Sequence, residues 1–235
     1  MQKFETKKFD IGKLKGISEK NVEEHLKLYQ GYVNNANTVL EKIENLSKEN
    51  AEGKFAYEIS ELQRRFAFEF GGVRNHEYFF TAFENGPKEI SKESDLYKKI
   101  SEDFGSFEKW FSYFKTMATT RGIGWAMLYF DKTTGRLLNQ WVDEHHLGQL
   151  STCEIILALD MWEHAFVFDY QPSGKKNYVE DFFENLNWKL IEQNFENIKD
   201  NHLCFSMAAN ACSASKRGWI TTRPPVFMNG SAART

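Results

Sequence analysis

The first part of the chain carries apolar residues every three or four positions, the spacing that places them on one face of an α-helix. This spacing predicts helices over residues 22–46, 51–70, 94–104 and 106–119, and the segment RNHEYFFTAF is apolar enough on all sides to lie in the interior. In the first helix the apolar positions are Leu26, Tyr29, Val33, Ala36, Val39, Leu40 and Ile43.

The pattern changes to short continuous apolar runs after residue 122. The segment GWAMLYFDKTTGRLLNQWV holds two such runs around DKTTGR, which indicates a β-hairpin with a glycine-containing turn. A third run, CEIILAL, ends at Asp160, and closing helices are predicted over residues 178–188 and 190–198. Helices followed by a small antiparallel sheet and further helices predict the α+β class.

Composition narrows the possible functions. With 41% hydrophobic and 15% aromatic residues, the 235-residue chain can bury a substantial core. The net charge of −3 and the lack of a basic stripe make neither nucleic acid nor a membrane an expected partner. The first twenty residues lack the apolar run of a signal peptide, no run of 18 apolar residues occurs, and three cysteines form no zinc motif, so we expect a cytoplasmic protein.

Residues 201–235 differ in composition from the rest of the chain. They contain four basic residues and no acidic one, so the preceding 200 residues carry 26 basic and 33 acidic residues and a charge of −7. This segment has no periodic apolar face. We expect a disordered tail or a non-native extension, and we assign no chemistry to it.

The segment DMWEHAF, residues 160–166, places a carboxylate and an imidazole four residues apart in a stretch that is otherwise apolar. Asp160 ends an apolar run, where the last side chain of a strand can point into a cleft, and His164 can converge on the same point. A buried carboxylate is costly unless it is paired or coordinated. Two ordinary roles stay open: Asp160 can cap the following short helix, and Glu163 or His164 can form an ion pair.

Two further histidines lie in helical or apolar segments. His76 follows Asn75 in the apolar segment, where a lone histidine is more typical of a hydrogen-bonded core residue, and His25 in KNVEEHLKLY can be solvated among glutamates. Taken with DMWEHAF, two or three imidazoles and one carboxylate form a donor set that suits iron or manganese. Such a set leaves a coordination position open, which indicates catalysis rather than a structural zinc site.

Six segments in order along residues 1–200 resemble the iron/manganese superoxide dismutases. They are YVNNAN, NHEYFF, DFGSFEKW, GIGWAML, DMWEHAF and NYVEDFFENLNW. The resemblance implies an N-terminal helical hairpin domain over residues 1–86 and a C-terminal α/β domain over residues 87–200 with a three-stranded antiparallel sheet. It also implies one Fe or Mn ion per subunit between the two domains, superoxide as substrate, and a homodimer or tetramer.

The resemblance places three metal ligands on His76, Asp160 and His164. The family's first-helix ligand lies eight residues before the tyrosine of YVNN, and that position is Glu24 rather than His25. We predict His25, because deleting one residue from this helix can remove a π-bulge and rotate the neighbouring imidazole into place. Glu24, an oxygen ligand with a second negative charge, is the alternative.

Further residues receive roles from the same resemblance. Tyr32 corresponds to the family's gateway tyrosine, and Trp125 and Trp162 correspond to apolar walls that restrict access to the metal. Lys175, or Lys176 in its place, corresponds to a basic residue that attracts the superoxide anion toward the entrance.

The family also supplies a glutamine that hydrogen-bonds the metal-bound solvent, either from the helix of the second ligand or from the sheet. The helix position is Gly72 in this chain, and the sheet position is His145. We therefore expect His145 to contact the solvent ligand, with His146 and Gln140 as weaker candidates. An imidazole donor there would change the acidity of the bound water and the redox potential.

At the subunit interface, family members pair a first-helix histidine with a tyrosine that follows the last ligand. These positions are Leu28 and Phe166 here, so both polar partners are missing together. Glu163 corresponds to the glutamate that hydrogen-bonds His164 of the partner subunit. We still expect a dimer, with Tyr29 able to fill the missing interface position.

The function implied is conversion of superoxide to oxygen and hydrogen peroxide by one-electron cycling of the metal between its 3+ and 2+ states. The irregular first-helix ligand and the missing interface pair motivate an alternative, a dismutase-like structural or binding protein without turnover. A carboxylate-bridged di-iron bundle needs Glu and Glu-x-x-His units on four helices, which the chain lacks.

Overall fold

The architecture is known from a computed structural model that describes residues 2–49 and 53–200. Four helices come first, a three-stranded sheet follows, and shorter helices close the described part of the chain. The elements are α1 (Glu19–Glu49), α2 (Ala56–Thr81), α3 (Asp95–Phe104), α4 (Phe107–Ala118), β1 (Gly124–Asp131), β2 (Arg136–Asp143), β3 (Cys153–Asp160), α5 (Glu163–Phe166), a 3-10 turn (Pro172–Gly174), α6 (Lys175–Asn185) and α7 (188–200).

Helices α1 and α2 form an antiparallel pair, because His25 near the start of α1 packs on Phe80 near the end of α2, while Tyr32 lies beside Phe68 farther along. The predicted periodicity of α1 is confirmed: its buried residues recur every three or four positions. The second helix begins later than predicted, at Ala56, and continues through RNHEYFF instead of ending at residue 70.

The sheet has strand order β2-β1-β3, and both pairings are antiparallel. The central strand β1 is buried at seven of its eight positions, in agreement with its unbroken apolar sequence. Trp125 at the start of β1 pairs with Asp160 at the end of β3, so the two residues lie at one end of the sheet. The predicted α+β class with a three-stranded antiparallel sheet is confirmed.

Helices α3 and α4 each begin after a serine N-cap. Ser94 accepts a hydrogen bond from the backbone N–H of Tyr97 at 3.2 Å, and Ser106 accepts one from that of Lys109 at 3.1 Å.

Residues up to 198 form one compact unit. The domain boundary at residue 86 stays a prediction, and the predicted tail, residues 201–235, lies outside the described residues. In the described ranges, no helix has the length and apolar character needed to cross a bilayer.

Candidate metal centre

Four side chains from separate elements converge at the end of the sheet where Trp125 pairs with Asp160. They are His25 of α1, His76 of α2, Asp160 at the end of β3 and His164 of α5, and one ligand atom from each lies within 4.8 Å of the others. Asp160 Oδ2 lies 3.2 Å from Nε2 of both His25 and His164, and 3.6 Å from Nε2 of His76. The structure thus brings together the four residues that the sequence analysis assigned as ligands.

The position of Asp160 follows from the strand that carries it. The last five residues of β3 are buried, so the chain delivers the carboxylate into the interior. Its Oδ1 accepts the backbone N–H of Trp162 at 2.8 Å, and its backbone carbonyl accepts the hydroxyl hydrogen of Tyr178 at 2.9 Å. One carboxylate oxygen therefore shapes the turn into α5, while the other faces the three imidazoles.

His76 shows whether a metal ion fits this cluster. Its Nδ1 lies 2.6 Å from the carbonyl oxygen of Gly72, so Nδ1 carries the proton and Nε2 keeps its lone pair. This Nε2 is buried and has no hydrogen-bond partner within the described residues. A buried nitrogen without a partner is unfavourable. Since the neighbouring donors are two imidazoles and a carboxylate, the set fits iron or manganese.

The protonation states agree with ligand roles. Burial lowers the pKa of His25 and places the pKa of His76 well below its ordinary value, so both imidazoles are held in the neutral form. Burial opposes ionisation of Asp160, but the polar contacts of His164 and His25 with its carboxylate outweigh burial, and the pKa of Asp160 lies below its usual range. Neutral imidazoles and an ionised carboxylate are the forms that bind metals.

The uninterrupted α1 helix explains why His25, and not Glu24, joins the cluster. His25 and Tyr32 are seven residues apart, so they share a helix face with an offset of about 20°. Glu24 lies about 100° away around the helix. It is exposed and bonds to Lys20 at 2.7 Å and Lys27 at 2.9 Å, which lower its pKa to about 2.

A second group of buried side chains lies against the cluster. The imidazole of His145, whose ring centroid lies 5.7 Å from that of His76, accepts the indole N–H of Trp125 on Nδ1 at 3.0 Å. Its Nε2 lies 2.7 Å from the hydroxyl oxygen of Tyr32. Burial lowers the pKa of His145 to about 4, so the ring is neutral and its proton resides on Nε2.

His146 and Gln140, the weaker candidates for contact with metal-bound solvent, have other partners. Nδ1 of His146 is 3.9 Å from a carboxylate oxygen of Glu144, and the amide of Gln140 donates to the carbonyl of Trp141 at 2.8 Å. Gly72 cannot be replaced by glutamine without rearrangement, because a Cβ atom there would lie 2.6 Å from the ring of Tyr32.

Both halves of the chain match one protein family. Residues 9–84 match the alpha-hairpin domain of iron/manganese superoxide dismutases, and residues 92–194 match the C-terminal domain of the same enzymes. The chain belongs to the iron/manganese superoxide dismutase family. The resemblance inferred from six short segments is thereby confirmed.

Relatives in this family carry different metals in their names. The superoxide dismutase (Fe) of Methanothermobacter thermautotrophicus is 34% identical over 179 residues, which cover 74% of this chain and 83% of the relative. The superoxide dismutase (Mn/Fe) of Aeropyrum pernix is 31% identical over 182 residues, with coverages of 75% and 81%. The superoxide dismutase (Mn) of Haloarcula marismortui is 34% identical over 177 residues, with coverages of 72% and 79%. Family membership therefore leaves the choice between iron and manganese open.

Trp162 lies beside the clustered residues. Its ring stacks on that of His145 with centroids 4.9 Å apart and on that of His164 at 5.7 Å. Glu163, beside it, is exposed, and its contact to another subunit stays a prediction. Lys175 donates to the carbonyl of Thr120 at 2.8 Å, so its ammonium group already has a partner inside the subunit.

The structure tests one of the predicted interface residues, Tyr29, and shows where Leu28 and Phe166 lie. Leu28 is 41% exposed, so an apolar side chain stands where the family has a polar one, and Phe166 is buried against Tyr178. The prediction that Tyr29 can reach the interface is wrong. Its ring is buried, and its hydroxyl accepts the backbone N–H of Lys7 at 3.0 Å and donates to Glu77 at 3.2 Å.

Sequence reasoning missed Phe68. Its ring lies 4.7 Å from His145, 6.1 Å from Tyr32 and 6.4 Å from Trp162 between centroids, so it forms another wall of the site. Phe68 precedes His76 by eight residues, a little more than two helical turns. This spacing puts Phe68 about 80° around the helix from His76, so the sequence pattern of α2 does not mark it as a neighbour of the second ligand.

Two amides that sequence reasoning also missed hold the backbone of His145. The side-chain amides of Asn75 and Gln149 both donate to the carbonyl oxygen of His145 at 3.1 Å. Tyr129 in turn hydrogen-bonds Gln149 at 2.5 Å. The contacts of Asn75 with His145 and of Tyr129 with Gln149 join residues 70 and 20 positions apart, and no local pattern signals them.

Proposed function

We propose that this protein is a superoxide dismutase that binds one iron or manganese ion through His25, His76, Asp160 and His164. The observation that carries the proposal is the convergence of four ligand atoms within 4.8 Å, one of which, Nε2 of His76, is buried and has no partner among residues 2–49 and 53–200. When bound, the ion supplies one-electron cycling between its 3+ and 2+ states, which oxidises one superoxide to oxygen and, with two protons, reduces another to hydrogen peroxide.

Asp160 sets the charge of the site. Its carboxylate is the one anionic group among the four clustered residues, and it is fully buried. A negative charge in a region of low dielectric favours the more highly charged state of a neighbouring cation. Asp160 would therefore shift the reduction potential of the bound metal toward a value at which both half-reactions are favourable.

Tyr32 and His145 hold a proton beside the cluster. Because the proton of His145 resides on Nε2, Tyr32 accepts it through its hydroxyl oxygen, and its own hydrogen is free to point to another acceptor. Burial, together with the charges of Asp160 and Glu69, raises the pKa of Tyr32, so the phenol stays protonated. Tyr32 is partly exposed, which connects this donor to solvent.

The surrounding aromatic residues limit what can enter. Trp125 is buried, and Trp162 and Phe68 lie around His145, so the space next to the cluster suits a very small molecule. Lys175 remains the proposed basic residue that attracts superoxide. Glu163 remains the proposed contact to a second subunit. The cytoplasmic location and the homodimer or tetramer stay predictions.

The test is metal analysis together with activity measured on protein loaded separately with iron and with manganese. We expect stoichiometric metal and rapid dismutation with at least one of the two ions. Asp160→Ala and His164→Ala should each abolish metal retention. Purified protein that holds stoichiometric iron or manganese but does not dismutate superoxide would contradict the proposal. Protein that is purified nearly empty, and stays inactive after loading, would support the dismutase-like binding protein instead.

A further inference from the structure

Three partly exposed rings border the candidate metal centre, and we call them the aromatic rim: Tyr32, Phe68 and Trp162. An ion pair lies directly on this rim, on the side of α2. The guanidinium carbon of Arg65 is 3.9 Å from the ring centroid of Phe68, and its Nε donates to Oε1 of Glu69 at 2.9 Å. The aromatic face fixes the guanidinium in place by a cation–π contact.

The two charges of the pair are placed unequally. The Arg65 side chain is 53% exposed, whereas that of Glu69 is 5% exposed. Oε2 of Glu69 is buried and has no hydrogen-bond partner within the described residues, so half of this carboxylate is unsatisfied. A buried charge is screened less than an exposed one, and its field extends farther into the protein. Glu69 lies deeper in the protein than Arg65, and its negative charge therefore opposes the attraction that Arg65 exerts on an anion.

The charges of Arg65 and Glu69 affect the pKa values of groups beside the cluster. The charge of Glu69 contributes to the raised pKa of Tyr32, and the charge of Arg65 acts against it. Arg65 also contributes to the lowered pKa of His145, where burial is the larger cause. The ion pair is thus close enough for both partners to affect Tyr32, and their two effects on it have opposite signs.

We propose that the Arg65–Glu69 pair on the aromatic rim determines the affinity of the site for small anions, with Arg65 increasing it and Glu69 decreasing it. The inference rests on the proposed function, because superoxide is the anion concerned. Lys175, the basic residue expected from the family, already donates to a carbonyl oxygen. Arg65 holds its charge over the ring that borders Tyr32 and His145, so it is the better placed of the two to act on an incoming anion.

The test uses Arg65→Gln, Glu69→Gln and the double variant in the metal-loaded full-length protein. At low ionic strength, we expect Arg65→Gln to lower kcat/KM for superoxide about two- to fivefold and Glu69→Gln to raise it by a similar factor. The double variant should return to within about twofold of the wild type. Both changes should shrink as salt is added, because the Debye length falls to about 10 Å at 0.1 M.

Azide, a small monovalent anion, gives a readout that does not depend on turnover. Its dissociation constant, measured by optical titration of the iron-loaded protein, should rise in Arg65→Gln and fall in Glu69→Gln. The matched control is the neighbouring pair Arg64 and Glu61, joined at 2.8 Å on the exposed part of the same helix. Arg64→Gln and Glu61→Gln should leave kcat/KM and azide affinity unchanged.

Opposite signs in the two single variants support the proposal. A purely structural role for the pair predicts losses in both, so reduced kcat/KM and reduced azide affinity in Glu69→Gln would overturn it. An active wild type with that result overturns this inference alone. A metal-loaded but inactive wild type overturns the proposed function, and the azide titration then decides the role of the pair.

Discussion

The indole N–H of Trp125 donates to Nδ1 of His145 across 3.0 Å, and this bond fixes which nitrogen of the imidazole carries the proton. The proton is directed through Nε2 toward Tyr32, 2.7 Å away. The tautomer of His145 is therefore determined by Trp125, at the start of the central strand.

Removing either partner of the buried Trp125–His145 bond should destabilise the fold. His145→Ala leaves the indole N–H without an acceptor, and we expect the free energy of unfolding to fall by about 1–3 kcal/mol from the hydrogen bond alone. Trp125→Phe should also destabilise, because it leaves Nδ1 unpaired. Urea unfolding of the metal-free single and double variants would give a coupling energy of about 0.5–3 kcal/mol. Strictly additive losses would show that the bond contributes nothing.

His145 should also make stability depend on pH. Its pKa is lowered to about 4, so between its ordinary value and pH 4 the unfolded chain binds a proton that the folded chain does not. This contribution is fully present above about pH 6.5 and is lost as the pH falls toward 4, with a slope of at most about 1.4 kcal/mol per pH unit. His145→Gln, which cannot titrate, should flatten the curve of unfolding free energy in this range. Curves that stay parallel for wild type and variant would contradict the assignment.

Adjacent residues on α1 should differ sharply in their effect on metal content. His25→Ala removes a buried nitrogen that lies 3.2 Å from Asp160, and we expect metal content after purification to fall to background. Glu24→Gln changes an exposed carboxylate that pairs with lysines, and metal content should equal that of the wild type. Elemental analysis of both variants checks this. Loss of metal in Glu24→Gln with retention in His25→Ala would reverse the ligand assignment.

Two glycines in neighbouring helices should respond to alanine with opposite signs. A Cβ atom at Gly72 would lie 2.6 Å from the ring of Tyr32, and we expect Gly72→Ala to lower the free energy of unfolding by about 1–3 kcal/mol and to displace that ring. At Gly31 a Cβ atom meets nothing within 4 Å, so Gly31→Ala should stabilise α1 by about 0.5–1 kcal/mol. Thermal unfolding measures both. Equal effects would mean that Tyr32 is not held tightly against α2.

The sequence was sufficient for the elements whose pattern is local. The helical period of α1, the starts of α3 and α4, and the apolar runs of the three strands each depend on neighbours within a few positions, and all appear in the structure. The predicted end of the second helix at residue 70 was wrong. The helix continues through Gly71 and Gly72, which contacts with distant residues require: a Cβ atom at Gly71 would lie 2.3 Å from the carbonyl oxygen of His145.

The site was predictable where a family motif covers it and not beyond. DMWEHAF and NHEYFF identified three of the clustered residues, and helix geometry decides in favour of the fourth, His25. Arg65 and Gln149 lie in segments with no motif. Each contacts a residue close to it in sequence, Arg65 the ring of Phe68 and Gln149 the carbonyl oxygen of His145. Phe68 and His145 lie beside Tyr32 through packing between distant parts of the chain, which a local sequence pattern does not reveal.

Asp160 and His25 face each other across 135 positions of the chain. An ion held by both would act as a cross-link that closes a loop of that length, and binding to the folded chain alone shifts the unfolding equilibrium toward the native state. In cells that are short of both metals, a larger fraction of this protein would then be unfolded and degraded by proteases. The amount of protein, and not only its activity, would follow the supply of iron and manganese.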